Sequence, residues 1–463
     1  MSGARSGQAV SPNERGTSTQ PSGVADQVIE MVRAAAPGAE AEVTVRTGTE
    51  ALTRFAGSFI HQNVAEETSH IALRISLDGR TTAVSLDGQP TTDALTRLID
   101  GALEAARVLP ADPDWPGLAP VAEAPDAEHW DEVTAKASPD DRARRVAEFV
   151  AAGEGLETAG SCVTDATVVA FANSAGQRLS GRTTLATVDG IARTGTSDGS
   201  ARAASAALAA LDGRALGERA ARKARDAADA TDLAPGRYEV LLEPSCVANL
   251  LQFLFVYGFN GRAVEEGRSF VALGEAQFYE SITIRDDATD PGTVGVAFDA
   301  EGSPKRPLDV VRDGVTTGVL HTRRTAAKAG TQSTGHAVEG ATEWGALPEN
   351  IVLDAGRRSP EELLGGMERG LLVTDFWYTR VLDPRTQVVT GLTRNGVWLV
   401  ENGRVVRPIS NLRFTQSFLD ALAPGSVRGV GSDHALIGGG FGGAYLIPSL
   451  HLASWNFTGG AKG

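Results

Sequence analysis

The 463-residue chain holds only two cysteines, Cys162 and Cys246, and no CxxC pair. That excludes a disulfide framework and a zinc site built from cysteines, and it fits a reducing compartment. Long apolar runs are also missing. The oiliest stretch, Val247 to Tyr257, is interrupted by Asn249 and Gln252, whereas a bilayer span needs roughly 18 consecutive apolar residues. The opening MSGARSGQAVSPNERGTSTQPSG has no apolar segment of the secretory kind. We therefore expect a cytoplasmic protein without membrane contact. The seven histidines are His61, His70, His129, His321, His336, His434 and His451, and none lies three to five residues from another. No helical metal chelate can be written from them; surface or hydrogen-bonded core positions are expected. The net charge of −15 repels phosphate backbones, which argues against a nucleic-acid partner.

What is present is the composition of a globular protein, 42% hydrophobic and 22% charged. Residues 1–22 are rich in Ser, Gly, Thr, Gln and Pro and read as a disordered tail. An N-terminal α+β domain is expected over 23–230. Its opening helix carries the stripe Val24, Val28, Ile29, Val32. Val43 and Val45 alternate as in a strand, and so do Ile71, Leu73, Ile75 and Leu77. Asp78-Gly79 reads as a hairpin turn. A second helix opens near Thr92-Asp93, so the strands should be antiparallel with helices on one face. A proline-rich connector occupies about 110–126. Ser138-Pro139 reads as a helix start, with serine as cap and proline in the first turn. A larger β-rich C-terminal domain is expected over 231–463, from runs such as RYEVLLEP, ESITIRDD, VGVAFD, LDVVRDGVTTGVLHT and NGVWLVENGRVV.

Several groups invite a chemical reading. Asp286, Asp287, Asp299 and Glu301 would suit a hard cation or acid/base work, but RDDATDPG and DAEGSP also read as turns, and turn chemistry is the expectation. IGGGFGG, Ile437 to Gly443, lacks the GK[ST] ending of a phosphate loop and reads as a close-packed or flexible loop. Ser245 and Cys246 precede the oily segment with no histidine nearby in sequence, so buried structural residues are expected. Phe376, Trp377 and Tyr378 are candidates either for a peptide groove or for the core.

In its second half the chain resembles the TldD/PmbA (TldE) family of metallopeptidases. The resemblance is carried by the order and spacing of GRAVEEGRSFVALGE, ITIRDDATDPGTVGVAFDAEGSPKRPLDVVRDGVTTGVLHTRRTAAKAG, STGHA, PENIVLDAG, GLLVTDFW and LVENGRVVRPISNLRFTQSFLDAL. FAGSFIHQNVAEETSHIALRIS extends it into the first half, so that it runs from about residue 24 to the end. The resemblance implies a helix that, in the TldD-like branch, carries HExxxH: two histidines grip zinc and the glutamate activates the bound water. A cysteine near the chain end is implied as a further ligand. Counted back from VALGE, those positions fall on Leu250, Leu251 and Phe255. No histidine lies between His129 and His321, and no cysteine follows Cys246. The chain thus resembles the metal-free TldE/PmbA-like branch.

Three functions follow as expectations. The first is a non-catalytic subunit of a heterodimeric peptidase, with no metal of its own and zinc on a TldD-like partner, acting on peptides or small unfolded proteins. The second is a stand-alone homodimeric binding protein of the same fold. The third is an enzyme with a metal-independent site.

Overall fold

The computed structural model describes residues 20–438 and 443–460. Of the expected tail, residues 1–19 lie outside the described residues. Its last two belong to the first helix, α1 (Pro21–Ala35), because Pro21 sets the first helical turn. Residues 439–442 of the glycine run also lie outside.

The first half continues with β1 (Glu40–Ala56), β2 (Phe59–Leu77), β3 (Arg80–Asp87), α2 (Thr92–Val108), α3 (Glu132–Ala135), α4 (Pro139–Ala152), β4 (Glu157–Asn173), β5 (Arg178–Arg193), β6 (Asp198–Ser205) and α5 (Gly213–Asp226). The strands form one antiparallel sheet in the order β3-β2-β1-β4-β5-β6. Asp78 and Gly79 turn β2 into β3 with φ of 51° and 72°, which suits the left-handed preference of that pair. Ser138 caps α4 in a reciprocal box with Asp141. One face of the sheet carries Val43, Val45, Ile71, Leu73 and Ile75 against α1 and α2. Further along the same face, Cys162, Ala186 and Val188 pack with Phe149 of α4 and Leu216 and Ala220 of α5. The strand period of two sends Glu42, Thr44, Arg46, Arg74, Asp165 and Thr167 to the opposite face.

The second half adds β7 (Gly236–Leu242), α6 (Pro244–Tyr257), α7 (Gly261–Glu265), β8 (Ile284–Asp286), β9 (Leu308–Arg312), β10 (Val315–Thr316), α8 (Arg323–Ala329), α9 (Ala341–Trp344), β11 (Ile351–Leu353), α10 (Pro360–Gly365), β12 (Arg369–Asp383), β13 (Val388–Glu401), β14 (Arg404–Pro408), β15 (Leu412–Ser417), α11 (Phe418–Leu422), β16 (Val427–Val430), β17 (Ala435–Gly438), β18 (Ala444–Ile447) and β19 (Leu450–Gly460). One sheet runs β10-β9-β8-β11-β18-β17. The other runs β12-β7-β19-β15-β13, and β13 pairs again with β12, so these strands close into a barrel. Phe376, Phe414, Phe418 and Trp455 fill its core, with ring centroids 4.6–6.4 Å apart where they meet. The fold is α+β, as the patterning implies. VGVAFD is a correction: residues 294–299 alternate like a strand but form a loop. Gly295 at φ 126° breaks the run, and Phe298 packs on Val169 and Phe171 instead of joining a ladder.

Close backbone approach fixes how α5 seats on its sheet. A Cβ on Gly199 of β6 would stand 2.2 Å from the carbonyl oxygen of Ala220, and one on Gly217 would stand 2.4 Å from that of Phe149. Gly199→Val is therefore expected to cost about 3 kcal/mol by overpacking, read as a lower urea midpoint at unchanged slope.

Candidate functional site

Two places merit scrutiny: the oily helix and the polar face of the first sheet. α6 lies between the barrel and the β17–β18 end of the other sheet, touching β12, β17, β18 and α11. Leu250, Leu251 and Phe255 are each 0% exposed within one continuous apolar core. Phe255 meets Phe259 at 5.3 Å between centroids. Each such side chain contributes roughly 1.5–3 kcal/mol of burial. None offers a lone pair. Cys246, one turn earlier, is 0% exposed, and its Sγ lies 3.6 Å from the Val373 carbonyl. Burial pushes its thiol well above the ordinary range, so it is not a thiolate ligand. Among the described residues no three His, Cys, Asp or Glu side chains converge in a way that could hold a metal ion. The residues present do not fit a zinc ion on this helix.

The three consecutive aromatics of β12 do not act together. Phe376 is 6% exposed and stacks on Trp455, so it belongs to the barrel core and not to a groove. Trp377 and Tyr378 are 47% and 63% exposed and meet edge-on at 5.4 Å. A register shift between Trp377 and Arg380 turns both outward, with Tyr378 at φ 50°. The Arg394 guanidinium lies 4.3 Å from the Trp377 ring centroid.

The second place is the polar face of the first sheet, where the C-terminal loops 294–305 and 337–350 pack on it. Asp286, Asp287, Asp299 and Glu301 are all buried here. The turn reading holds locally: Asp299 accepts the N–H groups of Glu301, Ser303 and Ala337 at 2.8–3.0 Å, and Asp287 accepts that of Thr289 at 2.8 Å. Sequence reasoning missed the partners. Asp286 Oδ2 accepts the N–H groups of Glu349 and Asn350 at 3.1 and 2.9 Å. His336, 1% exposed, places Nε2 3.0 Å from Asp286 Oδ1, though off the line of a hydrogen bond. Lys305 pairs with Glu349. Burial raises Asp286, but His336, Lys305 and the Asn350 N–H outweigh it and hold the carboxyl below its ordinary value. Arg74 pairs with Glu42 and Glu301. Burial pushes Glu42 up to about 8 despite Arg74, and burial with repulsion from Glu301 pushes Asp299 up to about 7. The available signal was the polar alternate of each strand: Glu42, Thr44 and Arg46 interleave Val43 and Val45, a pattern that otherwise means solvent. Two adjoining cavities of about 620 and 590 Å³ open on this face and share Arg46, Ala300, Val338 and Glu339.

Against this geometry the chain can be compared with known proteins. Residues 235–459 match the family described as the PmbA/TldA metallopeptidase C-terminal domain. The C-terminal half of the chain, residues 235–459, belongs to the TldD/PmbA family. Among the curated relatives, a metalloprotease of Methanothermobacter thermautotrophicus is 27% identical over 234 residues, 48% of each chain. Metalloprotease PmbA of Escherichia coli O157:H7 is 28% identical over 164 residues, 35% of this chain and 33% of its own. The matched part thus spans half or less of these TldD/PmbA relatives. The crystal structure of TldE from Thermococcus kodakarensis superposes with a TM-score of 0.84 at 19% identity, covering 94% of this chain and 99% of that one. That likeness establishes a TldE-like fold across both halves. No helix among the described residues is long and apolar enough to cross a membrane.

Two outcomes are expected. Leu251→Ala should lose about 2–5 kcal/mol of stability, because α6 is closed on that side; a loss under about 1 kcal/mol in urea unfolding would mean an open cleft over the helix. For Glu42 and Asp299, the folded chain holds protons that the unfolded chain has released between their ordinary values, 4.5 and 3.8, and about 8 and 7. Their contribution to stability therefore falls as pH rises through that window. Glu42→Gln should flatten the decline between pH 5 and 8 in a series of denaturant midpoints.

Proposed function

We propose that this chain is the metal-free, TldE-like subunit of a two-chain cytoplasmic peptidase, in which a TldD-like partner carries the zinc and this chain walls the space where the peptide is held. The observation that carries the reading is the closed apolar packing of Leu250, Leu251 and Phe255, where the family resemblance sets the metal ligands. Burying a histidine or glutamate there without a metal would leave an unpaired polar group at a cost of several kcal/mol. Leucine and phenylalanine remove that cost and keep the helix as scaffold. The zinc supplies water activation and carbonyl polarisation when bound on the partner. This chain's own part is binding and orientation. β3 pairs only with His70 to Leu77 of β2, so among the described strands none covers the outer edge of β2 from Phe59 to Ser69. Such an edge suits an extended peptide added as a further strand. Trp377 and Tyr378 add exposed aromatic area of the kind that grips peptide backbone.

A homodimeric binding protein of the same fold is the second reading, favoured by the paired cavities on the polar face. Co-expression with an HExxxH-bearing sibling separates the two. The two-chain reading expects a stable 1:1 complex, zinc in the sibling alone by elemental analysis of each subunit, and chelator-sensitive peptide cleavage only when both chains are present. Stoichiometric zinc on this chain by itself, with cleavage in the absence of any sibling, would overturn it. A zinc-free homodimer that ignores the sibling would support the binding protein.

A further inference from the structure

The buried charges beside the larger cavity do not balance. Arg74 Nε donates to Glu42 Oε1 at 2.7 Å, and its Nη2 donates to Glu301 Oε1 at 3.0 Å. The second oxygen of Glu301 accepts the backbone N–H of Arg323 at 2.8 Å. Asp299, also buried, is satisfied by backbone N–H groups. Among the described residues Glu42 Oε2 has no hydrogen-bond partner, although Glu42 is only 3% exposed. One guanidinium is thus shared by two carboxyl groups, with a third carboxyl within electrostatic reach. An unpaired carboxyl oxygen in such a place costs free energy until a partner reaches it.

Glu42 lines the cavity of about 620 Å³ between β1, β2, β3 and the 338–343 segment. Glu42, Glu301, Glu339 and Glu343 line it together with Arg46 and Arg74, an excess of negative charge that disfavours anions. Ala72 and Val338 contribute apolar wall. We propose that this cavity binds a primary ammonium group, carried by a lysine side chain or by the N-terminus of a peptide, with Glu42 Oε2 as its acceptor and the apolar wall holding the attached stem. A guanidinium fits less well, because its fork is matched by two free oxygens and only one is free. A bare divalent cation fits less well too, since no three acidic or imidazole groups converge among the described residues.

The groups facing Glu42 are Arg74 and His70 on β2, Arg46 on β1, Asp299 and Glu301 on the loop, and Glu339 and Glu343 on the 338–343 segment. His70 is already held between Asp87 and Glu339, at 2.6 and 2.8 Å. Because burial raises Glu42 to about 8 in the free chain, docking of an ammonium at pH 7 ionises it and releases a proton. Affinity for a lysine-type ammonium should rise from pH 6 to 8, whereas for an α-ammonium, whose own pKa lies at about 8, the rise is offset by loss of its proton.

The site lies within one chain, so its test does not depend on the two-chain reading. Calorimetric titration of the full chain uses three probes: Nα-acetyl-lysine amide, alanyl-alanine amide, and Nα,Nε-diacetyl-lysine amide. One of the two ammonium probes, or both, should bind once per chain, with proton release visible as a dependence of the heat on buffer, and the diacetyl probe should not bind. The probe that binds names the source of the amine. Glu42→Gln should weaken binding about tenfold or more, the loss of a charge-assisted hydrogen bond. Ala72→Phe, which fills the cavity while leaving Glu42, Arg74 and Glu301 themselves in place, should abolish it and carries the test if Glu42→Gln fails to fold. Equal binding of the diacetyl probe, silence of both ammonium probes up to about 10 mM, or full affinity in a folded Glu42→Gln or Ala72→Phe chain would overturn the proposal.

Discussion

The C-terminal half is organised around a helix that leaves only a narrow, half-buried stripe, Ser245, Asn249, Gln252, Phe253 and Tyr257. α6 has Cys246, Val247, Ala248, Leu250, Leu251, Leu254, Phe255 and Val256 buried, which is most of its circumference. A helix apolar over so much of its surface must be enclosed over as much. The closed barrel covers it on one side, while β17, β18 and α11 cover it on others. That single requirement holds the barrel and the neighbouring sheet together as one core. Leu250, Leu251 and Phe255, packed in one core with Phe259, Phe278 and Ile282, bring no donor atom to this place.

The contact between the two halves follows a different rule. The first sheet spends its apolar face on α1, α2, α4 and α5, so the face left for the C-terminal loops is polar. Burying it requires partners for nearly every group. Across the contact Arg74 pairs with Glu301 and His70 with Glu339, while Asp286 meets His336, and Lys305 meets Glu349, within the C-terminal half. The crossing pairs set the 294–305 and 337–350 loops on the strands more sharply than interchangeable apolar contacts would. Where the pairing is incomplete, at Glu42, a cavity opens. The same few residues therefore define both the domain contact and the candidate binding space.

Local signals were legible wherever backbone chemistry acts over a few residues. The Asp78-Gly79 turn, the Ser138 cap and the stripe of α1 are of this kind. Alternation failed at residues 294–299 because period two describes any extended segment, paired or not. Here Val296 and Phe298 are drawn onto Val169, Phe171 and Leu179 of the first half. The aromatic cluster at 376–378 shows the limit from another side. Its composition gave both a groove and a core reading, and a bulge in β12 sent Phe376 inward and its two neighbours outward.

By itself the sequence determined the α+β class, the absence of imidazole and thiolate where the family resemblance sets metal ligands, and the apolar character of the helix at those positions. These depend on residue identity and short-range periodicity alone. Only the tertiary structure decided that Glu42 is buried, that Arg74 is half-buried beside it and that Glu301 competes with Glu42 for one guanidinium. It also brought His336 to Asp286. Those residues lie tens to hundreds of positions apart, and whether a strand's polar face meets water or another domain is set by what packs on it.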